Sequence, residues 1–393
     1  MIAMNDFIFE NSTKVYFGKK CVPKYLPGEI KNYGDTVLLA TGGRSVKENG
    51  IFDEIYSILT GAGKRVVTFD GIMPNPTLSK ALEGAALARD AQVDLILAIG
   101  GGSVMDCAKC ISMAAVYEGD IWEDFWAKEG VVDFTPLPLG VIVTCAGTGS
   151  EVNGGAVITN EEIHVKTDID YPKCNPKFAM EDPTYTFTLP KRNLAASGFD
   201  ILSHMMEIYF GLPHGNNVSD DINEALMRGV IRDLRASLKD PCDYEARSNL
   251  MWASSMAENR IIKLGKKTDF QCHQMEHQLS AYTNCNHGEG LGILHPTYYR
   301  HVCGGALDKF VRFATNVWGL EPAVYEDEKA LALAGIDALE AFIKELQMPM
   351  KLSEIGIGAD ADLKAIAYSC NISKGSPRIL THDEIYQIFL ECR

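Results

Sequence analysis

The chain has 393 residues, 46% hydrophobic and 23% charged, an ordinary globular composition that excludes a disordered or fibrous protein. That length exceeds what one hydrophobic core usually fills, so two domains or three are expected. The net charge of −15 argues against nucleic acid and against anionic membrane surfaces as partners.

The opening residues show no basic stretch followed by an apolar run, so no signal peptide is expected. No window approaches the roughly 18 apolar residues of a membrane-spanning helix. The eleven cysteines are mostly scattered singly and read as reduced thiols of a cytoplasmic protein. One CxxC occurs, Cys107-Ala-Lys-Cys110, inside a helical pattern and without a second pair. These two thiols, with Cys145 and Cys272, are read as small core residues rather than redox or metal-binding groups.

In chain order, the alternating opening from Phe7 to Gly18 reads as a hairpin at a sheet edge. Thr36–Thr41, Arg65–Asp70, Leu95–Gly100 and Val141–Ala146 are short continuous apolar runs closed mostly by Gly or Asp, the pattern of strands buried on both faces. Between them, Val46–Thr60, Leu78–Asp90 and Ser103–Tyr117 carry helical periodicity. Strand and helix alternating in this way predict βαβ units and a parallel sheet. From Arg192 onward the pattern is mostly helical, as in Asp220–Leu238 and Glu328–Leu346. The expected fold is therefore an α/β N-terminal nucleotide-binding domain with a parallel sheet over residues 1–189, followed by an all-helical C-terminal metal-binding domain over residues 190–393.

Three of the strands run into glycine-rich turns. Gly100-Gly101-Gly102-Ser103 opens a helix whose first turn carries Asp106, and free N–H groups at such a start favour a phosphate. Ser103 as N-cap with Asp106 as its capping-box partner is the structural alternative. Gly42-Gly43-Arg44-Ser45 has a similar form without the full GxGxxG spacing. The third stretch, Thr144 to Asn153, offers the hydroxyls of Thr148 and Ser150. Strand ends in such sheets converge on one crevice, so one nucleotide could touch all three turns.

Seven of the nine histidines lie between residues 204 and 301. Asp200 and His204 are four residues apart, as are His273 and His277, so each pair shares a helix face. His287 follows in Asn286-His287-Gly288-Glu289-Gly290. A lone helical histidine is more often a core or surface residue than a ligand, but paired occurrences beside an acid favour a cation. Oxygen and imidazole donors suit Fe²⁺, Zn²⁺, Mn²⁺ or Ni²⁺ rather than Ca²⁺ or Mg²⁺.

PNPT at Pro74–Thr77, AIGGGSVMDCAK at Ala98–Lys109, TCAGTGSEV at Thr144–Val152, GFDILSH at Gly198–His204, HQMEHQLSA at His273–Ala281 and HGEG at His287–Gly290 occur in that order. Together they resemble the iron-containing alcohol dehydrogenase family, in particular its butanol dehydrogenase-like branch, from Phe7 to about Leu390. The resemblance implies a metal-dependent NAD(P)-linked enzyme that interconverts alcohols and aldehydes. It implies a divalent metal, Fe²⁺ foremost, held by Asp200, His204, His273 and His287, with His277 beside the nicotinamide as a proton relay. Cofactor contacts fall on Gly42, Gly43, Ser45, Asn75, Gly101, Gly102, Ser103, Asp106, Thr144, Thr148, Asn153 and Lys166. One departure is Arg44, which stands where the branch carries a third glycine. NADP(H) is expected in preference to NAD(H), because the Gly42–Ser45 turn lacks an acid while Arg44 and Lys47 can pair with a 2′-phosphate; Asp70 is the competing NAD-selecting acid. A homodimer in the cytoplasm is expected, with no nucleic-acid or membrane partner. Two other readings compete with it: a dehydroquinate synthase or glycerol-1-phosphate dehydrogenase-like enzyme of the same fold, and a non-catalytic metal- and nucleotide-binding protein. The first needs a basic cluster near the metal, and the nearest pair in sequence is Lys266-Lys267.

Overall fold

The computed structural model describes residues 4–393. Backbone contacts divide them into two units: residues 10–189, and residues 190–393 together with the described residues up to Phe9.

Residues 10–189 alternate strand and helix: β1 Lys14–Phe17, α1 Cys21–Glu29, β2 Thr36–Thr41, α2 Ser45–Glu48, α3 Ile51–Gly61, β3 Arg65–Phe69, α4 Leu78–Asp90, β4 Leu95–Gly100, α5 Gly102–Ala114, β5 Leu139–Val143, β6 Gly155–Asn160, β7 Val165–Asp170 and β8 Phe178–Glu181. Six of these strands form one sheet in the order β1-β8-β5-β4-β2-β3, and every pairing in it is parallel. Every residue of β2, β4, β5 and β8 is buried, which is why three of these strands read as unbroken apolar runs. From β2 the chain crosses to β3 on one side, and from β4 it crosses to β5 on the other. The switch point thus lies between β2 and β4, and the turns after these two strands flank it, where doubly wound sheets take their ligands.

Several expectations change. The opening segment is no hairpin: β1 is an edge strand whose partner is β8, far along the chain, with Lys14 opposite Phe178. Local alternation cannot distinguish the two, because it records sidedness and not the partner. The helix expected over Val46–Thr60 is broken between α2 and α3 at Gly50, whose φ of 80° lies in the left-handed region. The antiparallel β6–β7 pair and strand β8 were not anticipated.

The second unit is helical: α6 Lys191–Tyr209, α7 Val218–Lys239, α8 Tyr244–Glu258, α9 Gln271–Thr283, α10 His287–Val302, α11 Leu307–Arg312, α12 Glu328–Glu345, α13 Leu363–Ser369 and α14 His382–Glu391. α6 is buried from Gly198 through Tyr209, and α10 packs on both α6 and α9. The core is built from Phe199, Phe210, Tyr299, Phe310 and their neighbours, with the Phe210 and Phe310 rings stacked at 4.0 Å. Among the described residues no helix is long and apolar enough to cross a membrane.

Candidate functional site

In the helical unit, three helices present imidazoles and carboxylates to one another. The i,i+4 spacing on α6 sets Asp200 and His204 on one face, and Glu207 continues that face a turn later. His273, Glu276 and His277 lie along α9, and His287 is the first residue of α10, started by the Asn286 side chain accepting from the Glu289 N–H at 3.2 Å. Gly288 is what lets α10 approach α6: a Cβ there would stand 2.3 Å from the Ala196 carbonyl oxygen.

The donor atoms come close together. Ligand atoms of Asp200, His204 and His273 lie within 4.8 Å of one another. His273 Nε2 is 3.7 Å and His287 Nε2 3.6 Å from Asp200 Oδ1. Such separations match donors that share one cation, roughly 3–4 Å apart. Each imidazole is fastened through its other nitrogen: His204 Nδ1 to the Asp200 carbonyl at 2.8 Å, His273 Nδ1 to the Glu207 carboxylate, and His287 Nδ1 to the Glu276 carboxylate. That arrangement fixes tautomer and ring orientation and leaves Nε2 as the donor toward the cluster. Asp200 Oδ1 and His273 Nε2 are buried without a hydrogen-bond partner, a costly state for polar atoms unless a cation takes them up. The residues present therefore fit a divalent cation held by one carboxylate oxygen and imidazole nitrogens.

The electrostatics agree. Burial raises the Asp200 carboxyl, but the imidazoles of His204 and His287 outweigh it and hold it below the usual carboxylate range. Burial lowers His273, yet the carboxylates of Glu207 and Asp200 prevail and raise it to about 10. Burial holds His204 below its ordinary value against the opposing pull of Asp200. The His277 ring centroid is 5.7 Å from that of His287, and His277 groups with Glu276 and His287 rather than with Asp200, His204 and His273. Phe270, held at φ 53° just before α9, sets its ring 6.0 Å from His204 and 5.1 Å from His273. Glu207 and Glu276 were missed in the sequence. The signal was there: each shares a helix face with a candidate ligand, at Asp200+7 and His273+3.

In the α/β unit, β4 delivers Gly101 as the N-cap of α5, with no side-chain cap. Ser103 is therefore inside the helix and not its cap; the Val104 N–H turns back to the Gly101 carbonyl at 3.1 Å, and the N–H groups of Gly102 and Ser103 ahead of it face the ligand side. A Cβ on Gly102 would lie 2.4 Å from Thr148 Cγ2, so the turn after β5 sits directly against the helix start. Thr144 joins β4 through its N–H to the Gly100 carbonyl at 2.9 Å. Gly42 adjoins Val104 of α5, and Gly43 faces open space. Ser45 opens α2. Lys166 donates to Asn75 Oδ1 at 2.9 Å.

Asp106 is neither a capping partner nor a surface contact. It is buried, and accepts from Ser150 Oγ at 2.6 Å and from the Val157 N–H at 3.1 Å. Asn153 likewise turns its Oδ1 inward, to the Gly155 N–H at 2.9 Å and to Lys109. Asp70 comes nearer the first turn than its place in the sequence implied. Parallel pairing of β2 and β3 brings the Gly71 N–H onto the Gly42 carbonyl at 3.0 Å, and the Asp70 carboxylate pairs with Lys47. The CxxC thiols lie buried on α5, where burial pushes Cys107 up to about 12 and Cys110 well above its ordinary value, so neither is a ready thiolate.

Residues 12–183 match the family model described as iron-containing alcohol dehydrogenase, and residues 194–392 match that of the Fe-containing alcohol dehydrogenase family, C-terminal. The chain is 39% identical over 390 residues to NADH-dependent butanol dehydrogenase A of Clostridium acetobutylicum, covering 98% of this chain and 99% of that one. It is 32% identical over 360 residues to the NADPH-dependent aldehyde reductase YqhD of Escherichia coli, covering 90% of each. The crystal structure of NADH-dependent butanol dehydrogenase A from Thermotoga maritima superposes with a TM-score of 0.93 at 34% identity, covering 99% of both chains.

Proposed function

The chain belongs to the iron-containing alcohol dehydrogenase family and is an NAD(P)-linked oxidoreductase of alcohols and aldehydes; from that premise we propose that Asp200, His204, His273 and His287 hold its divalent cation and that His277 relays the proton. The observation that carries the assignment is the buried pair Asp200 Oδ1 and His273 Nε2, both without hydrogen-bond partners, beside imidazoles each fastened through Nδ1. When bound, the cation supplies Lewis acidity toward an alcohol or carbonyl oxygen, and the nicotinamide gives or takes the hydride.

The chain's own groups do the rest. Asp200 brings the negative charge, and Glu207 and Glu276 orient their histidines. The Phe270 ring offers an apolar wall for the substrate's alkyl part. His277 accepts the hydroxyl proton in oxidation and returns it in reduction. The α5 N-terminus with Gly101, Gly102 and Ser103 takes the pyrophosphate, Thr144 and Thr148 border it, and Gly42, Gly43 and Ser45 face the adenosine ribose. Asn75 and Lys166 act as one hydrogen-bonded unit, and Asp106 serves from behind the loop. Fe²⁺ is the first choice of metal, with Zn²⁺, Ni²⁺ and Mn²⁺ compatible with the donor set. The phosphorylated-substrate alternative is weakened, since Lys266 of the Lys266-Lys267 pair is buried against Asp220 at 2.6 Å.

For the dinucleotide, the acid-free turn with Arg44 supports NADP(H). Asp70 at the adjoining strand end, already drawing Lys47 to itself, supports NAD(H), as does similarity to NADH-dependent relatives. We take NAD(H) as the preferred cofactor on the strength of Asp70. Purified protein loaded with Fe²⁺ or Zn²⁺ is assayed with butanal and either NADH or NADPH; a higher kcat/KM with NADPH overturns the cofactor choice, and no turnover with any aldehyde under either metal overturns the function. His277→Ala is expected to retain the metal and lose turnover by about 10²-fold. Loss of the metal in that variant would instead make His277 a ligand. Physiologically the protein is proposed to work as a cytoplasmic homodimer.

A further inference from the structure

Lys109 is the most deeply buried cation of the α/β unit, with no exposed surface. It lies three residues after Asp106 on the same face of α5, below the helix start that presents Gly102 and Ser103. Its Nζ donates to the Ser150 carbonyl at 2.7 Å, Ser150 Oγ at 2.7 Å, the Gly155 carbonyl at 2.6 Å and Asn153 Oδ1 at 3.2 Å. Four acceptors exceed the three N–H groups of an ammonium, so the bonds are shared and the group is saturated. Ser150 Oγ in turn donates to Asp106, which also accepts from the Val157 N–H. One helix face thereby fastens the segment from Ser150 to Val157 at five atoms. A buried lysine is rare unless its charge is compensated; here one loop supplies the hydrogen bonds, and the Asp106 carboxylate on the same helix is reached through Ser150 Oγ.

Two consequences reach the ligand side. The fastened segment holds Thr148, whose Oγ1 accepts from the Ser150 N–H at 3.3 Å and whose side chain rests against Gly102 at the helix start. With Asn153 Oδ1 taken by Lys109 and the Gly155 N–H, the amide of Asn153 has only its N–H groups to offer a ligand. We infer that Lys109 is a positioning residue for the dinucleotide: through Ser150 and Asn153 it sets the loop Thr148–Gly155 in register with the α5 N-terminus and fixes Asn153 as a hydrogen-bond donor to the cofactor. The inference rests on the nucleotide-binding reading above.

Three variants of the full-length, metal-loaded protein test it: Lys109→Met, Ser150→Ala and Asn153→Asp. NADH and NADPH dissociation constants are measured by fluorescence titration, alongside cofactor and aldehyde KM, metal content and thermal midpoint. Lys109→Met keeps the apolar stem and removes the ammonium; it is expected to weaken dinucleotide binding at least about tenfold, or about 1.4 kcal/mol, with aldehyde KM and metal content unchanged. Ser150→Ala, which cuts the link between Lys109 and Asp106, carries the same test in a milder form should Lys109→Met fail to fold. Asn153→Asp preserves an acceptor for Lys109 and removes the donor, so it is expected to keep the native thermal midpoint while losing cofactor affinity. That split is one a purely structural role would not produce. Native dinucleotide affinity in a folded Lys109→Met or in Ser150→Ala overturns the inference while leaving the nucleotide reading intact. Native affinity in Asn153→Asp overturns the donor assignment. Failure of the unmodified protein to bind either dinucleotide overturns the nucleotide reading and the inference together.

Discussion

An imidazole has two nitrogens, and at the α6–α9–α10 cluster the scaffold engages one of each: a backbone carbonyl for His204, Glu207 for His273, Glu276 for His287. The carboxylates make the facing Nε2 a better donor and limit the ring to one tautomer. Glu276→Gln, which keeps the shape but not the charge, is expected to weaken metal binding by about 10–100-fold, read by competition with a chromophoric chelator. Unchanged affinity would remove Glu276 from the site. His295 tests the same unit from a different side. Its Nε2 meets Ser203 Oγ at 2.6 Å, and burial outweighs the nearby Glu207 to bring it down to about 4. A histidine depressed in this way stays neutral in the folded protein while the unfolded chain takes up a proton near 6.5. Its stabilising contribution is therefore complete above about pH 6.5 and is lost as pH falls toward 4, an effect of about 3 kcal/mol at most. His295→Gln should flatten the denaturation-midpoint profile between pH 6.5 and 4.5; a profile parallel to the native one would show that other groups set the acid response.

At the scale of elements, the α/β unit relies on one helix start. α5 begins at Gly102 because β4 ends in glycines, and the absence of a side-chain cap leaves its first N–H groups for an anion. Gly102 is also where the turn after β5 comes closest. Gly102→Ala would drive a methyl into Thr148 at 2.4 Å, and overpacking of this kind typically costs about 1–3 kcal/mol. Dinucleotide affinity is expected to fall about tenfold or more, with metal content unaffected because the cluster belongs to the other unit. A variant with native affinity would mean that Thr148 moves aside freely.

For the whole molecule, the exposed run Phe7, Ile8 and Phe9 is out of place on a free surface, Ile8 being 95% exposed. Contiguous exposed apolar side chains mark interaction surfaces, and a second copy of the chain is the proposed occupant. Sedimentation velocity should report twice the 43.2 kDa chain mass for the native protein, with Ile8→Glu shifting the population toward monomer. A native monomer at micromolar concentration rules the dimer out; an Ile8→Glu protein that remains dimeric moves the interface elsewhere.

The sequence alone determined what depends on neighbours along the chain. Continuous apolar runs marked the buried strands β2, β4 and β5, although the Arg65–Asp70 run became the half-exposed edge strand β3; four-residue spacing put Asp200 with His204 and His273 with His277, and the loss of strand patterns after Pro190 marked the change to helices. These are legible because helical and strand periods are local. Partners were not legible. That β1 joins β8, that Asp70 comes beside the Gly42 turn, and that Asp106 turns inward to Ser150 all follow from which elements pack together. The same holds for the carboxylates behind His273 and His287, and for the four acceptors around Lys109. A charged residue inside a helical pattern looks the same in sequence whether it meets water or a buried loop. Only the tertiary structure decided which, because the cost of burying its charge is offset by groups up to 46 residues away.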